Sequence, residues 1–548
     1  MSVFIGYPSF MAYQMMKGKK GNNDGFPSIP GMIARYSGAG LTNEDMSTNP
    51  VWKDLMGNGY DLQMKNFGWA GMSGVNGYVE NFNQWFVGFD ESNKTVSDSS
   101  MKLVLLESDS QKVIYDRHSH QIGYTYNFYI KVTGIEGRTL NVNAGTLGGT
   151  IMSITEDGIY SINATVSDSW GNNMLYLIFP PSSSNNTVTI EQLPLYPGAI
   201  VFDRVDDYGV CENFPILTKE KGYTVVALRQ YLVDKSTAYL TANGDSISNT
   251  SFILEGNHYR DTWNFGKVTP IQASRILATQ TSKQYNGVKL NIGTNTEGSN
   301  LLQVGKWRRS YSNVAIWELV FLDHDATEEE LTKIKDYFVK TYPWLFPDQA
   351  WTVTGKTNED EDRATIANIT GNGNNLVLSN FGFAEGSGYN EQGEYAGYLV
   401  TDGVDDIASS NTIIYEADFT FIGEWKFIQK DDTVAGINSS SHLYIQNRYN
   451  RGATVMINST FENKKNITDY MTFKAITSKG KAYDENWNEV DLLYGDGNKG
   501  PSGVNIGGQG GTEFCHMIFK NMALYMNKVF SKDDCIKAYN YLQTLKAK

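Results

Sequence analysis

Three aspartates in FDRVDDYG, Asp203, Asp206 and Asp207, and three in TDGVDDIA, Asp402, Asp405 and Asp406, are the densest oxygen-ligand sets in the chain. A hard cation such as Ca2+ takes about six to eight oxygens from carboxylates, carbonyls and water, so each set could supply part of a metal site. The same spacing suits a hairpin turn whose flanking carboxylates cap backbone amides, and that reading needs no cofactor. Arg204 stands where the second copy has Gly403, which argues against a turn demanding positive φ at that position.

Other chemistry is poorly served. Glycoside hydrolysis needs two carboxylates flanking the scissile bond; EADFTFIGE offers Glu416, Asp418 and Glu424, but Phe421 occupies the place where a single-strand E-x-D-x-x-E pattern puts its last acid. No Ser-His-Asp order, HExxH motif or phosphate-binding loop follows, since GNG lacks the further glycine and helix of a dinucleotide fingerprint. His118 and His120 would share one face of a strand, as metal ligands or as a solvated edge. Cys211, Cys515 and Cys535 have no CxxC spacing and read as reduced, buried thiols. An aromatic sugar platform could draw on Trp69, Trp85, Trp170, Trp263, Trp307, Trp425 or Trp487, although Trp317 and Trp425 sit in alternating strands and read as core. A non-enzymatic role is expected.

The elements that position these residues are written twice. DLMGNGYDLQMKNFGWAGMSG (54–74) and NITGNGNNLVLSNFGFAEGSG (368–388) agree at ten of twenty-one positions, and TNED precedes each passage. YPGAIVFDRVDDYG (196–209) then matches YAGYLVTDGVDDIA (395–408), YTVVALRQYLV (223–233) matches FTFIGEWKFIQ (419–429), and NVAIWELVFLDHDATEEELTKIKDYF (313–338) matches NMALYMNKVFSKDDCIKAYNYL (521–542). The last pair reads as strand, turn and short helix, with Thr327 and Glu330 forming a capping box and Ser531 and Asp534 a weaker variant. GNG supplies a tight turn, after which Leu62, Met64, Phe67 and Trp69 are expected to alternate along one strand.

The offset between the copies falls from 314 to 199 residues, so the first carries an insertion of 115 residues. Its seven or eight β-rich runs, such as MKLVLLES, YTYNFYIKVTGI and TVTIEQL, predict an antiparallel sandwich. An insertion of this size is tolerated at a loop and is expected to form an outward-facing lobe. The implied division is an N-terminal arm (1–31), a first module (32–82 plus 196–346), the insert (83–195) and a second module (347–548). In the arm, Ser9 could cap a short helix bearing Phe10, Met11, Tyr13, Met15 and Met16; two turns do not stand alone in water, so these residues are expected to dock on a partner subunit.

Composition agrees with many short strands. The 548 residues include 53 Gly, 33 Tyr and 26 Phe against 13 Pro, and 19% are charged. A net charge of −14 with only short basic clusters argues against nucleic acid. No apolar run reaches the ~20 residues of a bilayer span, and MSVFIGYPSF lacks secretory features, which predicts folding in a cytoplasm without membrane insertion.

TNED, NFGFAEGSGY, GYLVTDGVDD and the insert ending IEQLPLYPGAIVFD resemble tandem laminin-G-like or concanavalin A-like jelly-roll virion proteins of phages infecting gut Bacteroidetes, crAss-like phages among them. The resemblance covers about 32–82 and 196–548. It implies an all-β chain of two concanavalin A-like jelly-roll sandwiches, the first interrupted by the inserted β-sandwich, with short C-terminal helices. It further implies a head or tail fibre subunit, a homo-oligomer meeting other virion proteins and host surface glycan. A lectin outside a virion and a glycoside hydrolase are the alternatives.

Overall fold

A computed structural model describes residues 24–548 apart from 146–148, 168–172, 218–222, 233–238, 245–251, 256–274, 280–283, 286–287, 293–298, 371–372, 429–433, 440–441, 449–451, 459, 462–471, 496, 498, 510–512, 546 and 548. The chain is all-β in architecture, with antiparallel sandwiches and short helices.

In the first module one sheet runs Arg275–Thr279, Thr224–Tyr231, Asn313–Leu322, Ile200–Asp203, Gly74–Val75, with Met32–Ser37 also paired to Asn313–Leu322. The second sheet begins Val51–Trp52, Leu62–Lys65, Tyr208–Cys211, Leu302–Val304, Tyr239–Asn243. Side chains of both, including Tyr36, Trp52, Leu62, Met64, Phe202, Leu302 and Phe321, close one buried core, the arrangement expected of face-to-face sheets.

The second module repeats this order. Gly388–Tyr389, Leu399–Asp402, His516–Met526 and Phe419–Phe427 stand side by side, with Gln349–Thr352 also on His516–Met526; the opposing sheet begins Thr365–Ile366, Leu376–Ser379, Ile407–Ser410, Asn505–Ile506, Val434–Ser439. Register repeats as well: Met64 lies opposite Gly209 as Leu378 lies opposite Ala408. A bulge falls at Leu228/Arg229 in one copy and at Glu424/Trp425 in the other.

One sequence match needs correcting. Ile200 faces Ile316 and Leu399 faces Phe519, and likewise Asp203 faces Asn313 and Asp402 faces His516; the counterpart of Asn313 is therefore His516, not Asn521. Both strands are buried almost end to end, so alternation could not mark their register.

The insert is a sandwich of two five-stranded sheets. Among the described residues it has ten strands rather than seven or eight: Lys94–Val96 and Thr150–Ile154 escape the sequence pattern because neither alternates cleanly between buried and exposed positions over a full strand length. Nor is the lobe purely outward-facing. Tyr126, Phe128, Ile130 and Val132 fill its core, while Tyr129 and Ile159 on the outer face join a cluster containing Trp487 and Tyr539 of the second module. A strand points successive side chains to opposite faces, so an apolar outer residue finds a neighbour to cover it.

The closing helices are Glu328–Thr341 and Lys532–Gln543; Thr327 makes the full capping box, whereas Ser531 accepts from the Asp534 amide without the reciprocal bond. Phe10, Met11, Tyr13, Met15 and Met16 lie outside the described residues. The end of the stretch assigned to an arm belongs to the first module: Phe26 and Ile29 are buried, and Asp24 pairs with Arg35.

Candidate functional site

The aspartate clusters form at two turns, Ile200–Asp203 to Tyr208–Cys211 and Leu399–Asp402 to Ile407–Ser410; the flanking strands lie in opposite sheets of each sandwich and do not pair with each other, so the expected hairpin is instead a sheet-to-sheet crossing. In the first, the Val205 amide donates to Asp203 Oδ1 at 2.7 Å and the Asp203 amide to Asp207 Oδ2 at 3.1 Å. In the second, the Val404 amide donates to Asp402 Oδ1 at 2.7 Å and the Asp402 amide to Asp406 Oδ2 at 2.9 Å. One carboxylate oxygen from each of the three aspartates lies within 4.8 Å of the others in both copies.

The duplicated passage serves these turns. Asn66 and Asn380, at φ 68° in both copies, donate Nδ2 to the carbonyls of Asp206 and Asp405 at 3.0 and 2.9 Å. Gly68 and Gly382 donate their amides to Ser73 and Ser387 Oγ, each at 2.8 Å. The expected alternation therefore ends early: Leu62 and Met64 are buried in the strand Leu62–Lys65, but the chain turns at Asn66, and Phe67 and Trp69 stack on one another with centroids 4.7 Å apart. Arg204 also departs from expectation. It adopts φ 71° beside 75° for Gly403, so the sheet-to-sheet turn imposes the left-handed conformation on a non-glycine residue.

Asp207 and Asp406 are fully buried, and Oδ1 of each accepts no hydrogen bond of normal geometry. Burial pushes the Asp207 carboxyl up to about 7 against the opposing pull of the Ser73 hydroxyl and the Asp203 amide, and burial likewise raises Asp406. A hard cation fits these donors in part: each site offers the free oxygen of the buried aspartate, while the other oxygen holds the turn. Both turns expose a valine at the tip, Val205 and Val404.

The remaining candidates disperse. Glu416 pairs with Lys499 and Asp418 with Lys479, each at 2.7 Å, while Glu424 accepts from the Tyr398 hydroxyl. Phe421 is buried. His118 and His120 leave the strand Lys112–Asp116 and converge on Asp116, with Nδ1 of the first 3.0 Å from Oδ1 and Nε2 of the second 2.6 Å from Oδ2. The Tyr126 hydroxyl also donates to this buried carboxylate, at 3.0 Å. Cys211, Cys515 and Cys535 are buried thiols outside any disulfide among the described residues. Trp85, Trp317, Trp425 and Trp487 are buried, which removes them as platforms; Trp170 and Trp263 lie outside the described residues.

Sequence reasoning missed the seam between insert and second module. Lys474, at 7% exposure, places its ammonium 4.7 Å from the Tyr129 ring and 5.3 Å from that of Tyr539, and donates to the Glu485 carbonyl at 2.6 Å. Desolvation pulls its pKa down to about 8. No motif marks the group, because Tyr129 lies more than 300 residues from Lys474 and Tyr539.

No family model and no curated protein matches the chain. Among solved structures, Trypanosoma rangeli sialidase in complex with sialic acid is similar over 87% of this chain and 99% of that one, at 9% identity and a TM-score of 0.27. A mutant of that sialidase displaying trans-sialidase activity is similar over 87% and 100%, at 8% identity and a TM-score of 0.26. Likeness at these scores carries no argument about function.

Proposed function

We propose that the chain is a non-enzymatic virion structural protein, a head or tail fibre subunit that presents β-sandwich modules for protein or glycan contact. The observation that carries this reading is the repetition of one sandwich in matched register, joined to a third sandwich through a buried aromatic seam. Such a body holds its rim loops in fixed relation, which suits weak multivalent contact. The resemblance of NFGFAEGSGY and GYLVTDGVDD to phage virion modules supports the location. On this reading the chain is assembled in the host bacterial cytoplasm, and residues 1–23 make the homo-oligomer.

Mass spectrometry of purified phage particles tests the assignment: peptides from this chain at structural stoichiometry are expected, and their absence overturns it. Light scattering on the full chain and on a variant lacking residues 1–23 tests the arm, with equal masses removing it as an oligomerisation element.

A further inference from the structure

The rim of the second module holds a cavity of about 200 Å3 lined by Asn358, Glu385, Tyr389, Asn390, Glu391 and Gln392. We propose that this cavity binds a neutral saccharide, one ring deep, through hydrogen bonds from its amides and carboxylates to sugar hydroxyls. The inference stands apart from the virion assignment, since the isolated chain must show the binding wherever it resides.

Size and chemistry select the ligand. Drug-sized ligands occupy roughly 300–1,000 Å3, so this cavity suits a single ring. Its walls offer two carboxylates that accept and the side-chain amides of Asn390 and Gln392, groups that both donate and accept, matching hydroxyls that do both; the third amide, of Asn358, is spent on the Tyr389 backbone. No cationic side chain lines it, which disfavours phosphate, sulfate and acidic sugars. The polar lining disfavours a lipid.

The first module supplies an internal comparison. Asn43 and Asn358 hold equivalent strand segments: the Val75 amide donates to Asn43 Oδ1 at 2.6 Å and the Tyr389 amide to Asn358 Oδ1 at 2.8 Å. In the first copy both amides are consumed internally, whereas in the second only that of Asn358 is, its Nδ2 donating to the Tyr389 carbonyl at 2.8 Å. Asn43 Nδ2 donates to Asp98 of the insert at 2.7 Å, and Asn76 Nδ2 to the Tyr78 hydroxyl at 3.2 Å. A Cβ on Gly77 would come within 2.8 Å of the Tyr196 ring, so that copy is closed.

The second copy lacks an insert here and replaces Gly71, Val75, Gly77 and Tyr78 with Glu385, Tyr389, Glu391 and Gln392. Asn390, the counterpart of Asn76, is 7% exposed. It is held by its own amide on the Tyr398 carbonyl at 2.9 Å, by the Gly397 amide on its carbonyl at 2.7 Å and by the Gly386 amide on its Oδ1 at 3.3 Å. Its Nδ2 donates to no described residue. A donor fixed before binding loses little entropy on binding.

The test is saturation-transfer NMR and calorimetry on the full chain with methyl glycosides of glucose, galactose, mannose, N-acetylglucosamine, N-acetylgalactosamine, fucose, rhamnose and xylose. At least one is expected to bind, with Asn390→Ala and the first-module replacement Glu391→Gly/Gln392→Tyr each weakening it tenfold or more. Gln392→Ala, at an exposed position, repeats the test without risk to folding, and Glu107→Gln on the insert should bind as the native chain does. Absence of any signal, a signal indifferent to these replacements, or the same residue dependence for Ca2+ alone overturns the proposal.

Discussion

The Lys474 ammonium of the second module lies 4.7 Å from the centroid of the Tyr129 ring of the insert. Burial lowers its pKa from 10.5 to about 8, against the charges of Glu424, Glu485 and Asp484. Because the folded value lies below the unfolded one, the stabilisation linked to this group is present above the unfolded value and is lost as pH falls through about 8. Lys474→Met should flatten that segment of the stability curve by on the order of 2–3 kcal/mol. Urea denaturation of both proteins near pH 7.5 and near pH 10 measures it.

Glu318 and Arg35 form a buried bidentate pair at 3.0 and 3.2 Å, with the Tyr342 hydroxyl donating to Glu318 at 2.8 Å. By register the second copy replaces the pair with Ala350 and Asn521. Glu318→Gln should cost about 3 kcal/mol, because it leaves the buried Arg35 with only the partly exposed Asp24 as counter-charge. The double change Arg35→Ala/Glu318→Asn should recover part of that loss in chemical denaturation.

Arg204 holds φ 71°, a conformation that disfavours side chains by roughly 1–2 kcal/mol. Arg204→Gly should stabilise the fold by less than about 1 kcal/mol, the relief being offset by the greater freedom of glycine when unfolded. Gly403→Arg adds a Cβ 3.1 Å from the His516 backbone nitrogen and should lower the melting temperature.

Asp207 is raised to about 7 from 3.8, chiefly by burial. Its linked stability is fully present below the unfolded value and is lost as pH rises through about 7. Asp207→Asn should therefore be neutral near pH 4 and stabilising by on the order of 1 kcal/mol near pH 8. Ca2+ binding at Asp207 and Asp406 would reverse that sign by mass action, so melting scans with and without Ca2+ separate a hydrogen-bonded turn from a metal site.

The duplication, the interruption and the all-β character were legible from local order alone. GNG, NFG and VDD lie close in sequence, and their turn chemistry is set by residues a few positions apart; the capping box at Thr327 follows the same logic. Tertiary structure decided what local order could not. Asn313 and His516 share a place only through register between strands buried on both faces, where alternation is silent. The left-handed Arg204 belongs to a turn between the two sheets that Asn66 pins across 140 residues. The Lys474 seam and the rim cavity depend on which faces remain uncovered after the sandwiches close, a property of long-range packing rather than of any contiguous segment.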